Sequence, residues 1–510
     1  MTEKTTIQDN SRRIAKNTVL LYGRMLLLML IGLFTSRVVL RTLGQGDFGT
    51  YKAVAGFVTL FTIITGSMSS AISRFITYEM GKEGDLRRVF STAVSIQIIF
   101  SLVVVALAEP IGLWWISHKM VLPSPERLEA ARWVLHFSAL SLVIQLISVP
   151  YNADIIAHER MDAFAWISIF EGLGKLAVAI LISVSPLDKL VTYAALLAVV
   201  SLLTRFAYGL FCRLHFQEAR YNWVLDRGLF RKMFAFAGWN FIGSGSGILR
   251  DQGGNQLLNL FFGTGANAAW GLAAEVNGTV QKFVTSFTTA INPQITKSYA
   301  SGERDYMMRL VFKGSRMSVY LLLIVVYPVL FFAPFLTDLW LGADAVPADT
   351  VTFIRLVLLL LLVESVSYTM ITAMLSTGNI RNYQLLVGGL QLLNIPVDYV
   401  LLKMGAQPYI IYVVAIAIAV CCLAARLYML RGMIGLPVGQ FLKDVLLRVL
   451  VTAGCALVVP VGLSFVLGQN WGGFLVGGAA MTVSTLLCIA FIGMKKWERQ
   501  DFIDRLLRRK

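Results

Sequence analysis

Residues 17–40 read NTVLLYGRMLLLMLIGLFTSRVVL, an apolar run with Arg24 well inside it. A membrane-spanning helix needs about 20 consecutive apolar residues to cross ~30 Å of hydrocarbon. This run is too long for the core of a signal peptide and has no small-residue cleavage site. It predicts the first membrane helix. Arg24 is expected to have a function there, because a charge at the bilayer centre costs about 2.5–3.5 kcal/mol.

Similar apolar runs follow along almost the whole chain. Of the 510 residues, 57% are hydrophobic and 15% are charged, and the mean hydropathy is +0.70. This composition predicts an all-α polytopic membrane protein rather than a set of soluble domains. The predicted helices, labelled α1 to α14 in chain order, cover residues 17–40, 50–76, 89–116, 133–151, 163–184, 190–211, 234–262, 268–291, 311–335, 351–374, 385–402, 410–430, 445–467 and 471–494.

Basic residues concentrate in alternate loops, which predicts the orientation of the helices. An even number of helices places both termini on one side, and the basic loops on that side predict that it is the cytoplasm. The loops on the other side hold few cations. The basic set comprises Lys4, Arg12, Arg13, Lys16, Lys82, Arg87, Arg88, Arg213, Arg220, Arg227, Arg231, Lys232, Lys297, Arg304, Arg309, Lys313 and the tail cations Lys495, Lys496, Arg499, Arg505, Arg508, Arg509 and Lys510.

A faint internal repeat relates α2 to α8. Leu43-Gly44-Gln45-Gly46 precedes α2, and Phe262-Gly263-Thr264-Gly265 precedes α8. Because six helices separate the copies, both have the same orientation, and such a parallel repeat places a substrate site between two lobes. We therefore predict an N-terminal lobe over residues 1–213, a cytoplasmic loop over 214–232 and a C-terminal lobe over 233–430. Residues 431–510 would add α13, α14 and a basic cytoplasmic tail.

Several functional classes lack their sequence signatures. The net charge of +16 is spread as topology requires, without a basic stripe interleaved with aromatics, so nucleic acid is not an expected partner. The chain has no P-loop motif for ATP. Gly243-Ser-Gly-Ser-Gly247 starts inside α7 and does not follow a strand, which disfavours a dinucleotide site. The scattered histidines and the five cysteines show no metal-ligand spacing. We expect no metal and no cofactor beyond a coupling ion.

Polar and charged side chains recur inside the apolar runs, where they usually face a bundle interior or a hydrated cavity. A cationic cavity would suit a phosphate or diphosphate. We therefore predict three groups of site residues. The substrate-binding cations are Arg24, Lys52, Lys175, Arg250 and Lys282; the groups for ion coupling or charge balance are Asp251, Glu275, Glu364 and Asp398; the polar lining is Asn255, Asn259, Gln391 and Asn394.

Each group also has a plainer structural explanation. Glu171 and Lys175, four residues apart on α5, can form an ion pair that only packs inside the bundle. Amides can bond across membrane helices, and cations near helix ends can reach the headgroups. Among the acids, Glu275 is the first candidate for binding H⁺ or Na⁺, since Lys282 lies on the same face. The alternative is that Glu275 only neutralises Lys282.

Four stretches of the chain form a recognisable set: Asn17…Tyr22-Gly23-Arg24, Arg41-Thr42-Leu43-Gly44 with Asp47-Phe48-Gly49-Thr50-Tyr51, Ile155-Ile156-Ala157-His158-Glu159-Arg160-Met161-Asp162, and Ala290-Ile291-Asn292-Pro293-Gln294-Ile295 with Tyr299 and Gly302. In these stretches the chain resembles the polysaccharide transporters of the O-antigen flippase type. The resemblance covers nearly the whole chain but carries no catalytic signature. It implies the multidrug/oligosaccharidyl-lipid/polysaccharide exporter (MOP) superfamily, whose MATE-like members have two six-helix lobes, some with two further helices.

The resemblance implies an inner-membrane flippase of a bacterial cell, not an enzyme. It would translocate undecaprenyl-diphosphate-linked oligosaccharide by alternating access, for O-antigen, capsule or exopolysaccharide assembly. Expected partners are this lipid-linked oligosaccharide, membrane lipid and polysaccharide assembly proteins. One alternative is a cation-coupled multidrug exporter of the same superfamily. Another is a membrane-embedded glycosyltransferase or polymerase, which would need large periplasmic loops.

The orientation is tested by labelling single cysteines with a membrane-impermeant maleimide. In a variant whose native cysteines are replaced, Ser124→Cys should react from the periplasm of intact cells. Ser301→Cys, in the loop at Gly302, should react only after the membrane is permeabilised, because the basic loops stay in the cytoplasm. Labelling of both positions from the same side would contradict this topology.

Overall fold

A computed structural model shows a helical chain with no strand among the residues it describes. These are residues 2–62, 85–158, 160–222, 226–377 and 381–495, with 68, 72, 75, 76, 79, 379 and 499. Predicted positions outside them are most of α2 after residue 62, Lys82, Glu159 and most of the basic tail after residue 495. The predicted all-α polytopic membrane fold is confirmed.

Each predicted helix has a counterpart among the described residues. Most of the observed helices are longer than the predicted ones because they continue into the polar residues that flank the apolar runs. α1 and α2 share Thr2–Thr59. The others are α3 Leu86–His118, α4 Arg127–Ala157, α5 Met161–Val184, α6 Lys189–His215, α7 Arg227–Phe262, α8 Thr264–Ala300, α9 Arg304–Phe331, α10 Thr350–Ser376, α11 Arg381–Lys403, α12 Ile410–Ile434, α13 Val438–Ser464 and α14 Trp471–Gly493.

Eleven helical segments of the described chain are long and apolar enough to cross a membrane. One of them, Leu26–Thr62, contains both α1 and α2. α7 and α8 are absent from the eleven because their polar residues lower the mean hydropathy. The count is therefore consistent with about fourteen helices. α7 carries four of the predicted site residues, Arg250, Asp251, Asn255 and Asn259, and α8 carries two, Glu275 and Lys282.

The two copies of the Gly-x-Gly repeat adopt the same backbone conformation. Gly44 interrupts the continuous Thr2–Thr59 element with φ 76° and ψ 170°. Gly263 ends α7 with φ 77° and ψ −169°, and its N–H donates to Asn259 O at 2.9 Å. A positive φ of this kind is open to glycine at little cost and disfavoured for other residues. This shared turn supports the repeat, while the superposition of two whole lobes stays a prediction.

The chain divides into two compact units, Met1–Gly271 and Leu272–Lys510. The first contains α1 to α7 with the start of α8, and the second contains the remainder. This division falls inside α8 and not between residues 213 and 233, where the two lobes of the repeat were predicted to meet. The limits of these lobes stay a prediction. In the first unit, buried side chains of α2, α3, α4 and α6 form a core around Val54, Leu135 and Leu146.

Charged groups fasten the α1–α2 turn to neighbouring loops of the first unit. Arg127 donates from Nε to Asp47 Oδ1 at 2.8 Å and also pairs with Asp188, in the loop before α6. Burial alone would raise the pKa of Asp188. Hydrogen bonds from the Val191 N–H and from Arg127 outweigh that effect and hold this pKa below its ordinary value. Asp188 thus caps α6 and anchors α4.

In the second unit, α13 and α14 pack against α9. Tyr327 Oη donates to Ala453 O at 2.7 Å, and Gly493 lies against the ring of Tyr320. The opposite faces carry Leu450, Val458 and Phe491, whose residues are 67–69% exposed. Large apolar side chains on the outside of a membrane bundle are the expected surface for lipid.

Candidate functional site

A polar network joins α7 to α2 and to the start of α8. Asn255, Asn259 and Asn267 have no exposed surface. Asn267 Nδ2 donates to Asn255 Oδ1 at 2.7 Å, and Asn259 Nδ2 donates to Asn267 Oδ1 at 2.8 Å. All three side chains therefore belong to one hydrogen-bonded group, which we call the asparagine network.

The asparagine network also holds backbone groups of neighbouring elements. Asn259 Oδ1 accepts from Val121 N at 2.9 Å, and its Nδ2 donates to Val121 O at 3.2 Å. Asn255 Nδ2 donates to Lys52 O at 3.2 Å. Gln256, the next residue, donates from Nε2 to Ala53 O at 2.9 Å. These bonds tie α7 to α2 and to the loop after α3.

This placement corrects one expectation and adds two residues. Asn255 and Asn259 were expected to line a hydrated cavity, but both are fully buried, and neighbouring protein groups occupy their amides. Asn267 and Gln256 were missed. Gln256 has a sequence signal, because it is next to Asn255 on a helix already marked as polar. Asn267 has a weaker one, since it precedes the predicted start of α8 and reads as a loop residue.

Three charged side chains of the first unit lie near one another: Arg24 on α1, and Glu171 and Lys175 on α5. Lys175 Nζ lies 2.6 Å from Glu171 Oε1, so the predicted i,i+4 pair forms. Glu171 also interacts electrostatically with Arg24. The Arg24 guanidinium lies 4.4 Å from the centre of the Phe164 ring. Its Nε is buried and has no hydrogen-bond partner in the described part of the chain. We call Arg24, Glu171 and Lys175 the α1–α5 charge cluster.

Lys175 also lines a polar cavity of about 170 Å³ within the first unit. Hydroxyl and amide groups dominate its polar lining: Tyr51, Thr59, Thr62, Ser138, Ser141, Gln145 and Ser201. A cavity of this size holds several water molecules when polar groups surround it. Lys175 thus lies beside a polar cavity, while its predicted role in binding substrate stays a prediction.

The other predicted cations lie apart from that cluster. The Lys52 ammonium lies 5.1 Å from the centre of the Phe48 ring, and its alkyl chain lies against Gly271. Arg250 Nε pairs with Asp251 Oδ1 at 2.8 Å, with side chains that are 14% and 53% exposed. In the second unit, Lys282 is exposed and Glu275 is half-buried. Their predicted pairing stays a prediction.

Two predicted groups of the second unit form a buried acceptor pair on α11. Asn394 and Asp398, four residues apart, are 1% and 3% exposed. Asn394 Nδ2 donates to Gln391 O at 2.7 Å. Oδ1 of Asn394 and Oδ1 of Asp398 are buried without a hydrogen-bond partner in the described chain. The half-buried Glu364 lies near the middle of α10, just before a break in the helix after Ser365.

The sequence matches the family model of polysaccharide biosynthesis proteins over residues 14–299. No curated protein sequence matches the chain significantly. Among solved structures, the chain is similar to the lipid II flippase MurJ in an inward closed conformation. The TM-score is 0.68 at 15% identity, over 92% of this chain and 98% of MurJ.

Two further solved structures share the fold. An inward-facing multidrug resistance MATE family transporter of the MOP superfamily aligns with a TM-score of 0.66 at 11% identity, over 82% of this chain and 98% of that one. A MOP superfamily transporter from Pyrococcus furiosus aligns with a TM-score of 0.61 at 12% identity, over 82% and 96%. The expected MATE-like fold is thereby confirmed.

Replacing Asn267 tests the structural role of the asparagine network. Asn267→Ala leaves two buried neighbours with unmet hydrogen bonds, which costs about 1–3 kcal/mol per group. We expect a clear fall in the thermal unfolding temperature of the detergent-solubilised chain. Asn379→Ala is the matched control, because Asn379 is exposed. Equal unfolding temperatures for both variants would show that the network contributes no net stability.

Proposed function

The chain belongs to the polysaccharide biosynthesis protein family, and we propose that it is a flippase for undecaprenyl-diphosphate-linked oligosaccharide. It would work in the bacterial inner membrane by alternating access, with both termini in the cytoplasm. Family membership, the multi-pass helical fold and the fold likeness to a lipid II flippase support this proposal. Its product would feed O-antigen, capsule or exopolysaccharide assembly, with polysaccharide assembly proteins as partners.

The observation that carries the substrate class is the α1–α5 charge cluster. Arg24 holds a guanidinium inside an apolar helix, and its Nε has no acceptor among the residues that the structure describes. Lys175 places an ammonium at the wall of a polar cavity. Guanidinium and ammonium groups are strong, geometrically suited donors to phosphate oxygens. A diphosphate that docked there would compete with Glu171 for both cations, while the sugars stayed in hydrated space and the lipid chain in the bilayer.

The proposed reaction makes and breaks no covalent bond. Translocation needs a site that binds the headgroup on one side and releases it on the other. Lys52, Arg250 and Lys282 are proposed to contact the headgroup along that path. A multidrug exporter shares the fold. The cationic α1–α5 charge cluster favours an anionic cargo over the cationic drugs that such an exporter would carry.

The drive for transport is proposed to be a coupling ion on α11. The sequence favoured Glu275, but Glu275 is half-buried, whereas the acceptor pair of Asn394 and Asp398 is almost fully buried. A buried carboxylate without a donor is costly, and a proton or Na⁺ removes that cost. Binding of the ion in one state of the transporter and its release in the other would couple the gradient to flipping.

Flipping of a fluorescent undecaprenyl-diphosphate oligosaccharide in proteoliposomes tests the function. The full chain should move it to the leaflet where an added glycosidase can act. Replacing Arg24, Lys52, Arg250 and Lys282 together by Ala should slow flipping at least tenfold, because the diphosphate loses four of its five proposed donors. Arg431→Ala, at an exposed helix end, should keep the native rate.

Two outcomes would contradict this proposal in different ways. Native flipping by the quadruple variant would show that the four cations are structural. No flipping by the native chain, together with gradient-driven export of cationic dyes, would favour the multidrug exporter instead.

The coupling site is tested by imposing pH, Na⁺ and voltage gradients singly on the same proteoliposomes. The gradient that accelerates native flipping should have no effect on Asp398→Asn, which cannot release a bound ion in the same way. Asp338→Asn is the control, since Asp338 is exposed. Gradient-dependent flipping that survives Asp398→Asn but not Glu275→Gln would place the coupling ion at Glu275.

A further inference from the structure

Three metal-ligating side chains meet at the end of α4, although the sequence places them far apart. Asp154 and His158 are four residues apart at the end of that helix, so they lie on one face. Glu218 follows sixty residues later, in the short 3₁₀ turn Gln217–Ala219 after α6. We call these three residues the His158 cluster.

The geometry of the His158 cluster is compact. His158 Nε2 lies 2.6 Å from Glu218 Oε1 and 3.6 Å from Asp154 Oδ1. One ligand atom from each residue lies within 4.8 Å of the other two. The His158 ring stacks on Phe216, with ring centres 4.1 Å apart. This stacking fixes the ring plane so that Nε2 faces both carboxylates.

Burial makes this arrangement costly without a cation. The Asp154 side chain has no exposed surface, and that of Glu218 is 9% exposed. Neither carboxylate oxygen of Asp154 has a hydrogen-bond partner in the described chain. The nearby Cys212 thiol donates instead to Tyr151 O at 3.4 Å. A desolvated carboxylate with no donor is strongly unfavourable unless a positive charge or a proton compensates it.

We propose that Asp154, His158 and Glu218 bind a divalent transition-metal ion of the zinc type. One imidazole and two carboxylates suit Zn²⁺ or Mn²⁺, whereas Mg²⁺ and Ca²⁺ take oxygen ligands. Zinc–ligand bonds of about 2.0–2.2 Å put tetrahedral ligand atoms roughly 3.4 Å apart. The His158–Asp154 separation already fits, and the His158–Glu218 separation would lengthen by about 1 Å. Three protein ligands leave the fourth position for water.

The ion would fasten the connection between α6 and α7 to the end of α4. Hydrogen bonds already attach the segment between α6 and α7 to α3 of the same unit. Asn222 N donates to Ser91 Oγ at 3.3 Å, and Arg87 Nε donates to the Arg220 carbonyl at 3.2 Å. Glu218 adds the contact to α4, so the metal would complete the anchoring of this segment. The inference stands on these contacts and does not depend on the flippase proposal.

The test uses the full-length chain in detergent, purified with a tag that contains no histidine and stripped with a chelator. After incubation with Zn²⁺ and desalting, mass spectrometry of the metal should find one ion per chain. His158→Asn, Glu218→Gln and Asp154→Asn should each weaken binding at least tenfold. His215→Asn is the matched control, because His215 is exposed and its Nδ1 lies 2.9 Å from Phe211 O of the same helix.

Thermal unfolding separates loss of binding from loss of fold. Saturating Zn²⁺ should raise the unfolding temperature of the native chain and of His215→Asn, because a ligand of the folded state stabilises it. Asp154→Asn should unfold no earlier than the native chain without metal, since it removes a buried charge, and should lose the Zn²⁺-dependent rise. The proposal is overturned by equal Zn²⁺ binding in native and variant chains, by no binding at all, or by Mg²⁺ or Ca²⁺ matching Zn²⁺.

Discussion

The membrane's lack of hydrogen-bonding solvent is the constraint on which this structure depends. Every backbone N–H and C=O inside the hydrocarbon must be satisfied within the protein, and a helix does this for its own residues. The described chain is accordingly almost entirely helical, and several of its breaks coincide with glycine turns or side-chain caps. Gly44 and Gly263 make such turns, and Asp188 and Asp226 cap the helices that follow them in sequence.

The same constraint sorts the polar side chains by function. Within a bundle, an amide that finds backbone partners strengthens the packing, and the asparagine network does this for α7. A charged side chain inside a membrane-spanning helix finds fewer hydrogen-bond partners than an amide does. Packing of the bundle alone therefore does not explain why it is there. Among the described residues, Arg24 Nε has no acceptor and Asp398 Oδ1 has no donor. Groups of this kind are candidates for binding a substrate or an ion, whereas Asn255 and Asn259 are candidates for stability.

Individual residues show which contacts can be predicted from the sequence and which cannot. Glu171 and Lys175 pair as their spacing predicts, because the helix alone brings residues i and i+4 together. The repeat is visible in the glycines, whose conformation depends on the local turn. The His158 cluster and Asn267 escaped prediction, since their partners come from other helices and loops. The histidines look scattered in the sequence because Glu218 lies sixty residues from His158, too far for a recognisable local pattern.

The sequence by itself determined the helical membrane fold, a count of about fourteen helices and the breaks at Gly44 and Gly263. Hydrophobic length, charge bias and glycine turns are local properties that are already present in an extended chain. Only the tertiary structure decided which polar residues are satisfied by neighbours and which retain unused hydrogen-bonding capacity. Asn259 and Asp398 look alike as polar positions in apolar runs. They differ because Val121 and Asn267 lie beside Asn259, whereas Oδ1 of Asp398 has no such donor in the described chain.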